Sequence, residues 1–148
     1  MCGIAGWIDW ENRLEDPVNQ ETLTAMIDTL KMRGPDDSGR YVCPNIAFGH
    51  RRLSVVDPAN GAQPMIKRRN GHNYVITYNG ELYNTNELRA ELEGYGYHFE
   101  TNCDTEVLLT AYMEFGTKCV EKLNGIFAFG STFPFRQKKR PHLLNVEI

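Results

Sequence analysis

The segment Tyr74-Val75-Ile76-Thr77-Tyr78 constrains the fold of this chain more than any other. All five side chains are β-branched or aromatic, types that suit a pleated surface and lose rotamer freedom in a helix. Asn70-Gly71 just before it marks a hairpin, because a two-residue hairpin turn favours residues that tolerate positive φ. A central strand is therefore expected at Tyr74–Tyr78. Shorter strands are expected at Ile4–Ile8, Arg40–Cys43, Ile46–Gly49, Leu53–Val56 and Ile126–Phe129. Between them lie helical patterns. Leu23, Met26, Ile27 and Leu30 recur at the spacing of one helix face, opened by Asp16-Pro17 or Asn19 and closed by Arg33-Gly34-Pro35. Asn84 with Glu87 three residues on reads as a capping-box start for a second helix, with Leu88, Leu92 and Tyr95 as its buried face. Thr105–Phe115 is a third. The class is α+β, with strands and helices in separate layers. The 148 residues suit one domain with a real core.

Composition excludes several functions. No apolar run approaches the roughly 18 residues of a membrane span, and the N-terminus has no signal-peptide layout. Cys2, Cys43, Cys103 and Cys119 form no CxxC pair, which argues against a zinc ribbon or a thioredoxin-type site. His50, His72, His98 and His142 show no ligand spacing, so no metal site is expected. A cytoplasmic chain without a membrane partner is the expectation. Residues 1–130 carry 12 Lys and Arg against 18 Asp and Glu, an acidic body that does not suit nucleic acid. Residues 131–148 differ, with Arg136, Lys138, Lys139 and Arg140 against Glu147. They follow neither strand nor helix period, and read as a basic tail, disordered or produced by a change of reading frame.

The chain begins Met1-Cys2-Gly3. Removal of Met1 would leave Cys2 with both a thiol and a free α-amino group. An α-amine titrates near pH 8 and accepts a proton in neutral solution, and a thiol is a competent nucleophile. By itself Cys2 reads equally well as the first residue of a strand.

Four further clusters accompany it: Arg33-Gly34-Pro35-Asp36, Gly49-His50-Arg51-Arg52-Leu53-Ser54, Tyr78-Asn79-Gly80-Glu81-Leu82-Tyr83-Asn84 and Cys103-Asp104-Thr105-Glu106-Val107. With Leu123-Asn124-Gly125-Ile126-Phe127-Ala128-Phe129, the set resembles the class II glutamine amidotransferase domains, which are N-terminal-nucleophile hydrolases. Among these it is most similar to the glutaminase half of the glutamine-hydrolysing asparagine synthetases, from Cys2 to about Gly130. The resemblance implies a layered αββα sandwich of antiparallel sheets, incomplete at its C-terminus. It also implies L-glutamine as substrate and an association into homodimers. No cofactor is implied for the glutaminase step. ATP and Mg2+ belong to a synthetase domain that this sequence lacks.

The roles implied by the resemblance fall on particular residues. Cys2 is the nucleophile and base. Asn79 and Gly80 donate to the oxyanion, through a side-chain amide and a backbone N–H at a sharp strand exit. Arg52 holds the α-carboxylate with its planar fork. Glu81 and Asp104 accept from the α-ammonium, backbone groups near Val55 complete the pocket, and Arg33 and Asp36 are structural supports. Each has a plainer alternative: Asn79-Gly80 a turn, Arg52 half of a surface ion pair, Asp104 a helix cap. Three functions stay open: a glutaminase domain of an asparagine synthetase, an amidotransferase serving another acceptor, and a non-catalytic glutamine- or partner-binding module.

Overall fold

A computed structural model describes residues 2–54 and 60–132, and in it Asn70 and Gly71 have φ of 51° and 78°. Both positive angles suit the tight two-residue turn that this dipeptide forms at no steric cost to glycine. The turn joins strand β4 (Met65–Arg69) to β5 (His72–Leu82), and β5 also pairs along its other edge with β6 (Gly125–Thr132). A second antiparallel sheet holds β1 (Gly3–Ile8), β2 (Asp37–Cys43) and β3 (Ile46–Arg52), with β3 in the middle. The helices are α1 (Pro17–Asp28), α2 (Thr85–Gly94) and α3 (Asp104–Phe115), followed by a 3₁₀ helix at Gly116–Lys122.

Alternation along each central strand builds the layers. From β3, Ala47 packs with Leu14, Leu23 and Ile27 under α1, while Ile46 and Phe48 pack against Val75 of the opposite sheet. From β5, Ile76 and Tyr78 point the other way, into a core with Leu88 and Leu92 of α2, Leu108 and Tyr112 of α3, and Phe129 of β6. The order is helix, sheet, sheet, helix. Among the described residues no helix is long and apolar enough to cross a membrane.

Several local expectations shift. The strand expected at Ile46–Gly49 continues to Arg52, Leu53 and Ser54 belong to no strand, and Val55 and Val56 of the strand expected at Leu53–Val56 lie outside the described part, as do residues 57–59. β4 escaped notice because Lys67, Arg68 and Arg69 mask its period. Helix α1 ends at Asp28, before Arg33-Gly34-Pro35, where the Thr29 hydroxyl takes the Met26 carbonyl at 2.7 Å. A side chain competing for the backbone acceptor ends a helix without glycine or proline. Asn84 occupies the N-cap of α2 but makes no side-chain cap. Its amide donates to Lys122 O at 2.8 Å and accepts from Asn124 N at 2.9 Å, pinning the approach to β6 instead. Tyr95 lies beyond the end of α2 and is exposed, its ring edge-on to Phe115. β6 continues through Ser131 and Thr132, both buried, past the Gly130 where the sequence character changes. The rest of the basic tail lies outside the described residues.

The α3 core sets a stability scale. Leu108 is fully buried among aliphatic and aromatic neighbours. Leu108→Ala is expected to destabilise the domain by about 2–5 kcal/mol, through lost burial and the cavity left behind. Urea unfolding checks this: the midpoint should drop with an unchanged slope.

Candidate active site

The inward faces of β1, β3 and β5 change character along their length. On β3 the inward positions run Ile46, Phe48, His50, Arg52; on β5 they run Val75, Thr77, Asn79. Apolar packing gives way to a polar pair and then to a cavity of about 320 Å³. Cys2, Arg52, Asn79, Gly80, Glu81 and Asp104 all line it, with Gln63, Tyr78 and Thr105. Residues far apart in sequence thus meet because the start of β1 lies beside the end of β3, Gly3 opposite Arg51.

Cys2 is held by its neighbours' backbone. The Leu53 N–H donates to Sγ at 3.4 Å, and the Cys2 carbonyl accepts from Arg33 Nε at 3.2 Å. Asp36 ties the end of β3 in place: its N–H donates to Arg52 O at 3.0 Å, and its carboxylate accepts from Ser54 N at 2.7 Å. Arg52 is only 7% exposed, which removes the surface ion-pair alternative. Its neighbour Arg51 points the other way and pairs with Asp28 at the end of α1.

Asn79-Gly80 is neither a turn nor a strand exit. Both residues sit within β5, opposite Ala128 and Phe127 of β6. The glycine is required by close approach: a Cβ there would lie 2.4 Å from Ile126 O and 2.6 Å from Phe127 Cα. Asp104 makes no side-chain cap either. It stands in the first turn of α3, and its Oδ2 accepts from Tyr78 Oη at 2.7 Å and from Leu82 N at 3.4 Å. Burial first, then the Asp104 carboxylate, pushes the Tyr78 phenol far above its usual range, so it stays a proton donor to that oxygen.

Sequence reading missed Tyr78 and Gln63. Tyr78 belonged to the strand pattern and passed as core. Gln63 had no motif, yet its Oε1 accepts from Tyr78 N at 2.6 Å and its Nε2 donates to Thr105 Oγ1 at 3.2 Å. It couples β5 to the start of α3 beside the cavity. Cys103 also lines the cavity, with Sγ 2.8 Å from Thr101 Oγ1. The candidate residue Val55 lies outside the described part.

A model of the glutamine amidotransferase domain matches residues 1–138. The chain belongs to that family. It is 51% identical over 129 residues to glutamine-hydrolysing asparagine synthetase 3 of Bacillus subtilis, covering 87% of this chain and 21% of that protein. It is 41% identical over 130 residues to asparagine synthetase B of Escherichia coli, covering 87% and 22%. The chain therefore spans about a fifth of the length of the curated relatives it matches. Among solved structures it resembles glutamine phosphoribosylpyrophosphate amidotransferase from Bacillus subtilis, with a TM-score of 0.52 and 29% identity over 61% of this chain and 21% of that one.

One titratable group of this glutamine amidotransferase domain lies behind the cavity. His50 is 1% exposed, and burial, then the nearby Arg52, lowers its pKa to about 4, against a smaller opposing pull from Asp37. An unfolded imidazole titrates near 6.5, so between these values the unfolded chain binds the extra proton. The stability that comes from a neutral His50 is complete above about pH 6.5 and is lost as pH falls towards 4, by at most about 1.4 kcal/mol per pH unit. Urea midpoints should fall from pH 6.5 to pH 5, and fall less steeply in His50→Asn. Equal slopes would show that His50 does not control acid stability.

Proposed function

We propose that this domain hydrolyses L-glutamine at Cys2 to glutamate and ammonia, and that in a longer protein the ammonia serves ATP-dependent amidation of aspartate. The observation that carries the reading is the convergence of Cys2, Arg52, the Asn79–Glu81 segment and Asp104 on one cavity. A surface turn, a surface ion pair and a helix cap would not meet there.

With Met1 removed, the α-amine of Cys2 takes the thiol proton as Sγ attacks the side-chain amide carbon of glutamine. The developing oxyanion is met by the Asn79 side-chain amide and the Gly80 N–H. Collapse breaks the C–N bond, and the α-ammonium returns the proton to the leaving ammonia. Water then cleaves the glutamyl thioester and frees glutamate and the thiol. The step balances with glutamine and water alone. ATP and Mg2+ enter only the later amidation.

Substrate selection matches opposite charges to the two charged groups carried on the glutamine Cα. Arg52 presents a planar, bidentate donor to the α-carboxylate. Asp104, its Oδ2 held by Tyr78 and Leu82, meets the α-ammonium with Glu81. Backbone groups near Val55 belong to the same reading. Arg33 and Asp36 act through the backbone of Cys2, Arg52 and Ser54. An amidotransferase domain serving a sugar or phosphoribosyl acceptor shares this half-reaction, and the likeness to the phosphoribosylpyrophosphate enzyme is what favours it. Homodimer assembly is part of the reading, and light scattering measures it directly.

Treatment of the purified chain with a glutamine-like diazoketone, followed by intact-mass measurement, tests the mechanism. The expected mass shows Met1 lost and a single adduct, absent in Cys2→Ala. Retained Met1, or no adduct and no ammonia release, would sink it. Asn79→Ala should lower kcat by roughly 100- to 1,000-fold, the usual cost of one oxyanion donor. Tyr78→Phe should raise the KM for glutamine more than it lowers kcat, because it frees Asp104 and leaves the nucleophile in place.

A further inference from the structure

His50 stands between the apolar centre of the sandwich and the cavity, and none of the roles assigned to the Gly49–Ser54 cluster falls on it. Its Nδ1 lies 3.1 Å from Thr77 Oγ1, so the pair bonds β3 to β5 across the gap between the sheets. Its Nε2 is buried with no hydrogen-bond partner among the described residues. An apolar residue would fill that place without an orphaned nitrogen, as Ile46, Phe48 and Val75 do at nearby inward positions. Burying an unpaired polar atom costs stability, so packing alone does not favour a histidine at this position.

Its placement relative to the cavity points to a role. Arg52 follows His50 by two residues on the same face of β3, and Asn79 follows Thr77 by two on the same face of β5. Both Arg52 and Asn79 line the cavity. Apolar packing between sheets is non-directional and tolerates sliding, whereas a hydrogen bond demands a distance and an angle. Resting on the glutaminase reading above, we propose that His50 is a positioning residue whose bond to Thr77 fixes the spacing between the carboxylate clamp Arg52 and the oxyanion donor Asn79. The imidazole stays neutral there, flanked by Arg52 on its own strand and Asp37 on β2, so it does not repel the clamp it places. Arg52 and Asn79 bind opposite ends of glutamine, and a slip of about 1 Å between such groups can cost about 100-fold in rate.

The test uses the full chain and measures ammonia release, Tm and diazoketone labelling of Cys2. Thr77→Val removes the hydroxyl and keeps the shape. It is expected to lower kcat/KM by 10- to 100-fold, with kcat falling and KM rising together. Thr77→Ser, which keeps the hydroxyl, and His50→Asn, whose amide reaches the place of Nδ1, should stay within about threefold of wild type. The deciding comparison adds Thr77→Val to Asn79→Ala. If the bond acts by placing Asn79, kcat falls little further in the double variant. Full additivity in kcat would overturn the proposal, as would Thr77→Ser losing as much as Thr77→Val, or Thr77→Val matching wild type. Those results leave the glutaminase reading standing. A wild-type chain that neither releases ammonia nor takes the label would remove that reading first, and this one with it.

Discussion

The face-to-face packing of the two sheets through Ile46, Phe48 and Val75 is the contact from which the rest of the domain follows. Once β3 and β5 are packed this way, their period of two sorts every side chain. Alternate residues go outward to α1 or α3, and the others go inward. The inward positions near one end are apolar, and towards the other end they become polar and then open onto the cavity. Cys2, just before β1, joins that end because β1 runs antiparallel to β3. The cavity forms where the inward residues of three strands run beyond the apolar core, and Gln63 and the first turn of α3 also line it.

Much of this was legible because strand-turn chemistry is local. Asn70-Gly71 specifies its own turn, and the β-branched run after it can hardly be anything but a strand. The site residues were legible for a different reason: short motifs resembling one family occurred in order. What the sequence could not show was which partner each polar side chain would take. Asn84 looked like a cap because a cap depends on neighbours three residues away, but its amide is claimed by Lys122 and Asn124 from a distant segment. Asn79-Gly80 looked like a turn because that dipeptide tolerates positive φ, but the glycine answers to the nearness of β6. Gln63 carried no signal and Tyr78 read only as part of a strand and a motif, since their contacts exist only once β5, α3 and the loop before β4 are assembled.

A buried charge sits in the first turn of α3. Glu106 is 2% exposed, and its carboxylate takes Lys67 Nζ at 2.6 Å and the Glu100 and Thr101 amides, the latter at 2.7 Å. Such a cluster is costly unless each member is satisfied. Here the satisfaction is bought with the backbone of residues 100 and 101, so the loop leading to Asp104 is drawn onto α3. The same carboxylate that is protected from water thereby sets where α3 begins, and with it one wall of the cavity.

The proposed nucleophile has little of its own to hold it. Cys2 has no helix or turn around it, and its side chain has one bond to rotate. Its position is set by the ladder from Gly3 onward, by Arg33 on its carbonyl and by the Leu53 N–H on its sulfur. Leu53 is in turn fixed by Asp36, which grips the residues on either side of it, Arg52 O and Ser54 N. The Arg33–Asp36 segment thus reaches both Cys2 and Arg52 through main-chain atoms. The proposed clamp and nucleophile share one support, so a displacement of that segment moves both together rather than apart. That arrangement protects their separation, the quantity on which attack at a clamped substrate depends, without rigidity in either side chain.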